Sequence, residues 1–224
     1  MVLIKDDSRI PALRWVRPPQ QARSQQTLDR ILDATEALVS EKGFDDTPVA
    51  EIARRAGSSV GSFYSRFADK DALLDALHER FLAQAMATAD SALDPARWQQ
   101  TSIEEIASAV VRFLVEIHRE QRGLLRAFTV RMRTDPEFLV RRERLAQHIA
   151  TGLSALLLAH RAEIQHADPQ RAVGFALTMI FGVLEHSILF GEMRSGALAW
   201  TDDDLSTELA RALLAYLIVP TRPT

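Results

Sequence analysis

Between Arg54 and Leu73 the chain reads RRAGSSVGSFYSRFADKDAL, a run of small polar and charged residues in which two large rings, Phe63 and Phe67, stand four apart. Four residues is about one helical turn, so the rings share a face, while Gly61, Ser62, Ser65 and Arg66 fall within another arc. A helix with one aromatic face and one low-profile polar face suits the major groove of DNA. The rings hold it to its own domain, and the small side chains let it approach the base edges closely. Tyr64 lies at the border, where its ring can pack while its hydroxyl reaches a phosphate. Lys70, at the start of the next helix, adds positive charge where amides already favour anions.

A second stretch with chemical potential is EIQH, Glu163 to His166, which has the Glu-x-x-His spacing of di-iron helical bundles. That chemistry needs two such motifs and further glutamates, and the sequence contains no second copy. There is no glycine-rich phosphate loop, nucleophile elbow or three-histidine cluster. The absence of cysteine removes disulfides, thiolate nucleophiles and Cys-based zinc sites together. The expectation is a non-enzyme with no metal and no other cofactor.

The elements that must carry the 54–73 segment can be traced outward from it. In 224 residues there are only 9 Gly and 9 Pro, and long stretches are rich in Ala, Leu, Arg and Glu, so propensity favours helix throughout and an all-α fold. Leu28, Ile31, Leu32, Leu38 and Val39 form one helical stripe starting from Thr27 and ending at Gly43. Thr47 is expected to cap a short helix with Pro48 at its first position, and Gly57 to stop it. Ser59 is then expected to cap a helix beginning at Val60. Two short helices joined by a tight glycine turn make a helix-turn-helix. Asp69 starts a long helix that runs to just before Pro95, and Asp135-Pro136 and Asp168-Pro169 start two more, running to about 163 and 193. A last helix spans about 205–217.

Between Arg9 and Arg30 the chain carries Arg9, Arg14, Arg17, Arg23 and Arg30 with a single acid, Asp29, although the whole chain has a net charge of -3. Residues 1–22 therefore read as a basic arm, either a solvated tail or an arm that follows a phosphate backbone. No apolar run has the form of a signal peptide. The longest one is interrupted by Glu185 and His186, so a membrane span is not expected and the cytoplasm is the expected location.

The run TPVAEIARRAGSSVGSFYSRFADKDALLDAL, preceded by ILDATEALVSEKGFDD, resembles the DNA-binding domain of TetR-type transcriptional regulators over roughly residues 24–75. Gly57, Ser59, Gly61, Phe63, Tyr64, Phe67, Lys70 and Leu73 carry the resemblance by order and spacing. It implies a helix-turn-helix DNA-binding domain over 23–75 and a larger helical effector-binding and dimerisation domain over 76–224. It also implies recognition by a helix over 60–66, with phosphate contacts from Thr47, Ser62, Tyr64 and Lys70 and with Ser59, Val60, Gly61, Ser65 and Arg66 at the DNA face. Ser58 departs from the apolar residue usual there, and Val60 from a polar or basic one, which suggests an apolar contact with a thymine methyl. The implied function is a homodimeric repressor, released from a palindromic double-stranded operator by a largely apolar small molecule. A regulator controlled by a protein partner and a helical enzyme with a vestigial DNA-binding domain are the alternatives.

The last two long helices, about 168–193 and 204–218, are implied to form the dimer, and the first of them is too apolar for a monomer surface. Phe113, Phe128, Met132, Phe138, Phe175 and Met179, with His148 and His186 for orientation, are the candidates for an effector pocket.

Overall fold

The computed structural model describes residues 22–191 and 193–218. These form nine α-helices and one very small hairpin, divided into two compact units at Ala85 and Met86, within the fourth helix. The basic segment of residues 1–21, with Arg9, Arg14 and Arg17, lies outside the described residues.

In the first unit, helix α1 (Ala22–Lys42) buries Leu28, Ile31, Leu32, Thr35, Leu38 and Val39. It starts earlier than the apolar stripe because nothing in its polar opening turns stops a helix. It ends as expected at Gly43, whose φ of +86° is the left-handed conformation a helix C-terminus commonly adopts and a side chain disfavours. Helix α2 (Val49–Arg55) buries Ile52 and Ala53, and helix α3 (Val60–Tyr64) buries Phe63. Gly57, at φ +61°, makes the turn between them. Helix α4 (Lys70–Ala92) begins after Asp69, whose carboxylate accepts the Ala72 amide at 2.7 Å. Its Leu73, Leu74, Ala76 and Leu77 complete the core of this unit.

Arg80 of α4 is also buried there. It donates from Nη1 to Asp33 Oδ1 at 2.7 Å and from Nε to Glu36 Oε1 at 3.1 Å, both acceptors on α1. Its Nη2 lies 2.7 Å from the same Glu36 oxygen, close enough for charge attraction though not aligned as a hydrogen bond.

The second unit contains a 3-10 turn (Pro95–Trp98) and helices α5 (Ile103–Glu120), α6 (Arg122–Met132), α7 (Pro136–Ala159), α8 (Pro169–Phe190) and α9 (Asp202–Ile218). Their starts are chemically marked. Ser102 and Glu105 form a reciprocal capping box for α5, and Asp135 and Asp168 cap α7 and α8 ahead of a proline. Thr201 and Asp204 exchange bonds at the start of α9 in the same reciprocal way. The core is built from α5, α7, α8 and α9, with Ile106, Val111, Leu157, Ala176, Ile180 and Leu213 among its buried residues.

Two helix ends in the second unit move relative to the pattern. Helix α7 stops at Ala159, because 160–164 turn back with Glu163 N–H bonded to His160 O. Helix α8 stops at Phe190, where Gly191 at φ +89° ends it. The segment after it forms an antiparallel pair of strands, β1 (Arg194–Ser195) and β2 (Leu198–Ala199), around Gly196 at φ +63°.

By length and hydropathy α8 is the one helix among the described residues able to cross a membrane. Here one of its faces, Ala172, Val173, Ala176, Leu177, Ile180, Leu184 and Ile188, is buried in the second unit. Phe175 and Phe190 on the rest of its surface are 56% and 73% exposed.

Candidate nucleic-acid interface

Helix α3 is only five residues long, too short to hold itself together in water, so its position depends on its anchors. Ser59 caps it, accepting the Ser62 amide at 3.0 Å. The Phe63 and Phe67 rings are fully buried, with centroids 5.2 Å apart. Burying two such rings contributes on the order of several kcal/mol, far more than a one-turn helix could supply alone. The resemblance implies a recognition helix over 60–66, whereas α3 closes at Tyr64 with Ser65 as its C-cap. The Phe67 amide still donates to Phe63 O at 3.0 Å, which keeps the two rings in register.

With the rings turned inward, Val60, Gly61, Tyr64 and Ser65 are exposed, and Ser62 and Arg66 are partly so. Tyr64 stacks edge-on against Phe63 at 5.3 Å and remains 50% exposed, so one part of the ring is anchored while the other faces water. Arg66 folds back along the helix end, donating from Nη1 to the carbonyl and hydroxyl of Ser62, each at 2.9 Å. The result is a face of small residues with one phenol and one guanidinium at its border. Gly61 adds no bulk: a Cβ built there would meet only the Ser59 hydroxyl, 3.8 Å away.

Two expected phosphate contacts are placed differently. Thr47 does not cap α2: Pro48 is the N-cap, its carbonyl accepting the Ile52 amide. Thr47 is fully buried and its hydroxyl donates to Gly43 O at 2.7 Å, because the turn after α1 leaves that carbonyl without a helical partner. Lys70 is half-buried and donates from Nζ to Phe44 O at 2.5 Å and Asp45 O at 3.1 Å. Burial pushes its pKa below the usual lysine value, an effect opposed by the carboxylates of Asp45, Asp46 and Asp71.

At Ser58 the departure seen in the sequence has a counterpart in the structure. Its amide closes the turn onto Ala53 O at 2.9 Å, while its hydroxyl is buried with no hydrogen-bond partner. An apolar side chain would leave nothing unsatisfied there.

In the second unit the expected pocket residues do not converge. Phe128 and Phe138 are buried with rings 5.7 Å apart, and Met132 is partly buried. Phe113 and Phe175 are exposed. So is His186, which lies against the exposed Phe190 ring at 4.8 Å instead of pointing inward. Phe175 packs on Tyr216 at 5.4 Å, and Met179 is partly buried. The physical reason lies in α8: a helix apolar nearly all round carries no sequence signal for which side faces the core.

Of the set, His148 borders an open cleft. Its Nε2 is 2.7 Å from Asp90 Oδ1, at one side of this cleft of about 720 Å³, which is lined also by Met86, Leu93, Arg144, Gln147 and Thr151. The Glu163 and His166 pair is used locally, with Glu163 on His160 at 2.9 Å and His166 Nδ1 accepting the Asp168 amide at 3.0 Å. No group of three metal-ligating side chains occurs among the described residues.

Residues 31–77 match the bacterial regulatory proteins of the tetR family, and residues 102–217 match the tetracyclin repressor-like C-terminal domain. The chain is 36% identical over 58 residues to the HTH-type transcriptional regulator YvdT of Bacillus subtilis, covering 26% of this chain and 30% of that protein. It is 49% identical over 47 residues to the HTH-type transcriptional regulator BetI of Serratia proteamaculans, covering 21% and 24%. The chain thus spans less than a third of the length of the curated relatives it matches. Its fold is similar to that of a transcriptional regulator from Rhodococcus sp. Rha1, with a TM-score of 0.62 and 24% identity, over 87% of this chain and 99% of that one. It is also similar to RolR in complex with resorcinol, with a TM-score of 0.51 and 21% identity, over 87% and 89%.

Proposed function

The chain belongs to the TetR family of DNA-binding transcriptional regulators, which are not enzymes, and from that premise we propose that it is a homodimeric repressor released from a palindromic operator by a small molecule. The observation that carries the DNA-facing part is the exposed face of α3, from which Phe63 and Phe67 are withdrawn. In this reading Val60, Gly61, Ser62 and Ser65 approach base edges, with Val60 suited to a thymine methyl. Arg66 leaves Ser62 to contact a base or phosphate, and the Tyr64 hydroxyl holds a phosphate.

Dimerisation through α8 and α9 is supported by the exposed Phe175 and Phe190 on a helix with few charges. A two-fold dimer would offer two α3 helices to successive major grooves roughly 34 Å apart. The effector part is supported by the cleft beside His148, whose volume falls within the roughly 300–1,000 Å³ usual for small-ligand sites. It is also supported by the likeness to a regulator solved with resorcinol bound. A ligand seated there would act by selecting a conformation with a different spacing between recognition helices, so that both can no longer dock together.

Footprinting on the DNA upstream of the coding sequence tests the reading. The expected result is a protected palindrome whose occupancy falls steeply with salt. Tyr64→Phe is expected to weaken binding to all sequences alike, and Arg66→Ala to change sequence preference. Unchanged affinity in both variants would place recognition elsewhere.

A further inference from the structure

Helix α7 carries Gly152 in its interior, where glycine weakens a helix relative to alanine. Its backbone does not call for glycine, since its φ is not among the positive ones. The space beside it supplies the reason. A Cβ built there would lie 2.6 Å from Leu93 Cδ1, 3.3 Å from Leu93 Cβ and 3.5 Å from Leu93 Cγ. The place of a side chain at 152 is thus taken by Leu93, the residue just past the end of α4, whose amide still donates to Ala89 O at 2.8 Å. Turning the Leu93 side chain about its own bonds would move Cδ1 away but leave Cβ where it is. Part of the crowding would therefore fall on the distance between the two backbones.

One turn before Gly152, His148 Nε2 lies 2.7 Å from Oδ1 of Asp90, three residues before Leu93. The hydrogen bond and the glycine contact form two adjacent rungs between the end of α4 and α7, both inside the second unit. They are also walls of the cleft, with Asp90 and Leu93 on one side and His148 and Gly152 on the other. A ligand that wedges these walls apart and a side chain added at 152 would strain the same two rungs. Helix α4 contributes residues to both units, so the seat of its last turn bears on the unit that presents α3.

We propose that Gly152 is a positioning residue for the effector response. By carrying no side chain it lets the end of α4 seat on α7 with Asp90 bonded to His148, and the seated arrangement is the one that binds DNA. This rests on the repressor reading above, with the cleft as the effector site.

The test uses the full chain with no effector added. Gly152→Ala is expected to lower affinity for the upstream fragment about threefold and Gly152→Val about tenfold or more. Leu93→Ala removes Cγ and both Cδ atoms and makes room for the new methyl, so the pair Gly152→Ala with Leu93→Ala is expected to bind within about twofold of Leu93→Ala alone. Asp90→Ala takes away the other rung and is expected to weaken binding about threefold. Without DNA, amide exchange over residues 88–93 is expected to rise in both glycine variants, while core amides of α5 and α9 keep their wild-type protection. Unchanged affinity in both glycine variants would overturn the proposal. So would a loss that Leu93→Ala does not relieve, or one that comes with lowered protection throughout the second unit, which would mark general damage to packing. A wild-type chain that binds no duplex would sink the DNA-binding reading itself, and exchange over 88–93 would still decide whether Gly152 seats α4.

Discussion

Arg80 offers a test of how charge and burial combine in the DNA-binding unit. Its side chain is 7% exposed, while its partners differ: Asp33 is 69% exposed and Glu36 31%. The two ends of this interaction therefore differ in what remains after a deletion. Arg80→Met removes the buried charge and fills much of the space with methylenes, leaving two carboxylates that water can reach. The expected loss is about 1–2 kcal/mol, above a surface pair because two hydrogen bonds disappear, but below the removal of one partner of a fully buried pair. The double change Asp33→Ala and Glu36→Ala leaves a buried guanidinium without counter-charge, for which about 3–5 kcal/mol is expected, despite the helix propensity gained in α1. Adding Arg80→Met to that double variant is expected to recover part of the loss. Hydrogen exchange of core amides in α1 and α4, read as local free energies in the full chain, measures all three. If Arg80→Met costs as much as the carboxylate double variant, the carboxylates carry the interaction and the account from burial fails.

Ser58→Ala removes a buried hydroxyl that has no partner and is expected to stabilise the first unit by up to about 1 kcal/mol, measured as a shift in the urea midpoint of its core amides. His118 donates from Nδ1 to Leu114 O at 2.7 Å; burial lowers its pKa, outweighing the opposing effect of that hydrogen bond, and Arg142 lowers it further. Its folded pKa thus lies below the unfolded value of about 6.5, so the unfolded chain binds the proton first as pH drops. The stability of the second unit should be full above that pH and fall as pH is lowered through and below it. His118→Gln should flatten that part of the profile of melting temperature against pH.

Much of the architecture is written in local chemistry. Ser102 with Glu105, Asp135-Pro136 and Asp168-Pro169 start helices where those residues satisfy open amides, and Gly43 ends one where a left-handed residue is needed. The division of 60–67 into buried rings and exposed small residues was likewise legible from spacing. What stayed hidden depends on distant parts of the chain. Thr47 has a capping residue's chemistry, yet the turn after α1 offers its hydroxyl the Gly43 carbonyl instead. Lys70 reads as a phosphate contact at a helix start, and only the fold brings it to carbonyls 25 and 26 positions earlier. On α8 the apolar pattern gives no direction, which is why Phe175 and His186 read as pocket residues and lie exposed. The hairpin at Arg194–Ala199 has two-residue strands, too short for any alternation to announce.

The separation of roles along Val60–Phe67 bears on how such a protein can diverge. Val60, Gly61, Tyr64 and Ser65 contribute little to the core, while Phe63 and Phe67, which contribute heavily, are turned away from the exposed face. Substitutions on that face can therefore accumulate after gene duplication with small penalties in folding. Two daughter proteins could come to prefer different sequences while keeping the same scaffold intact.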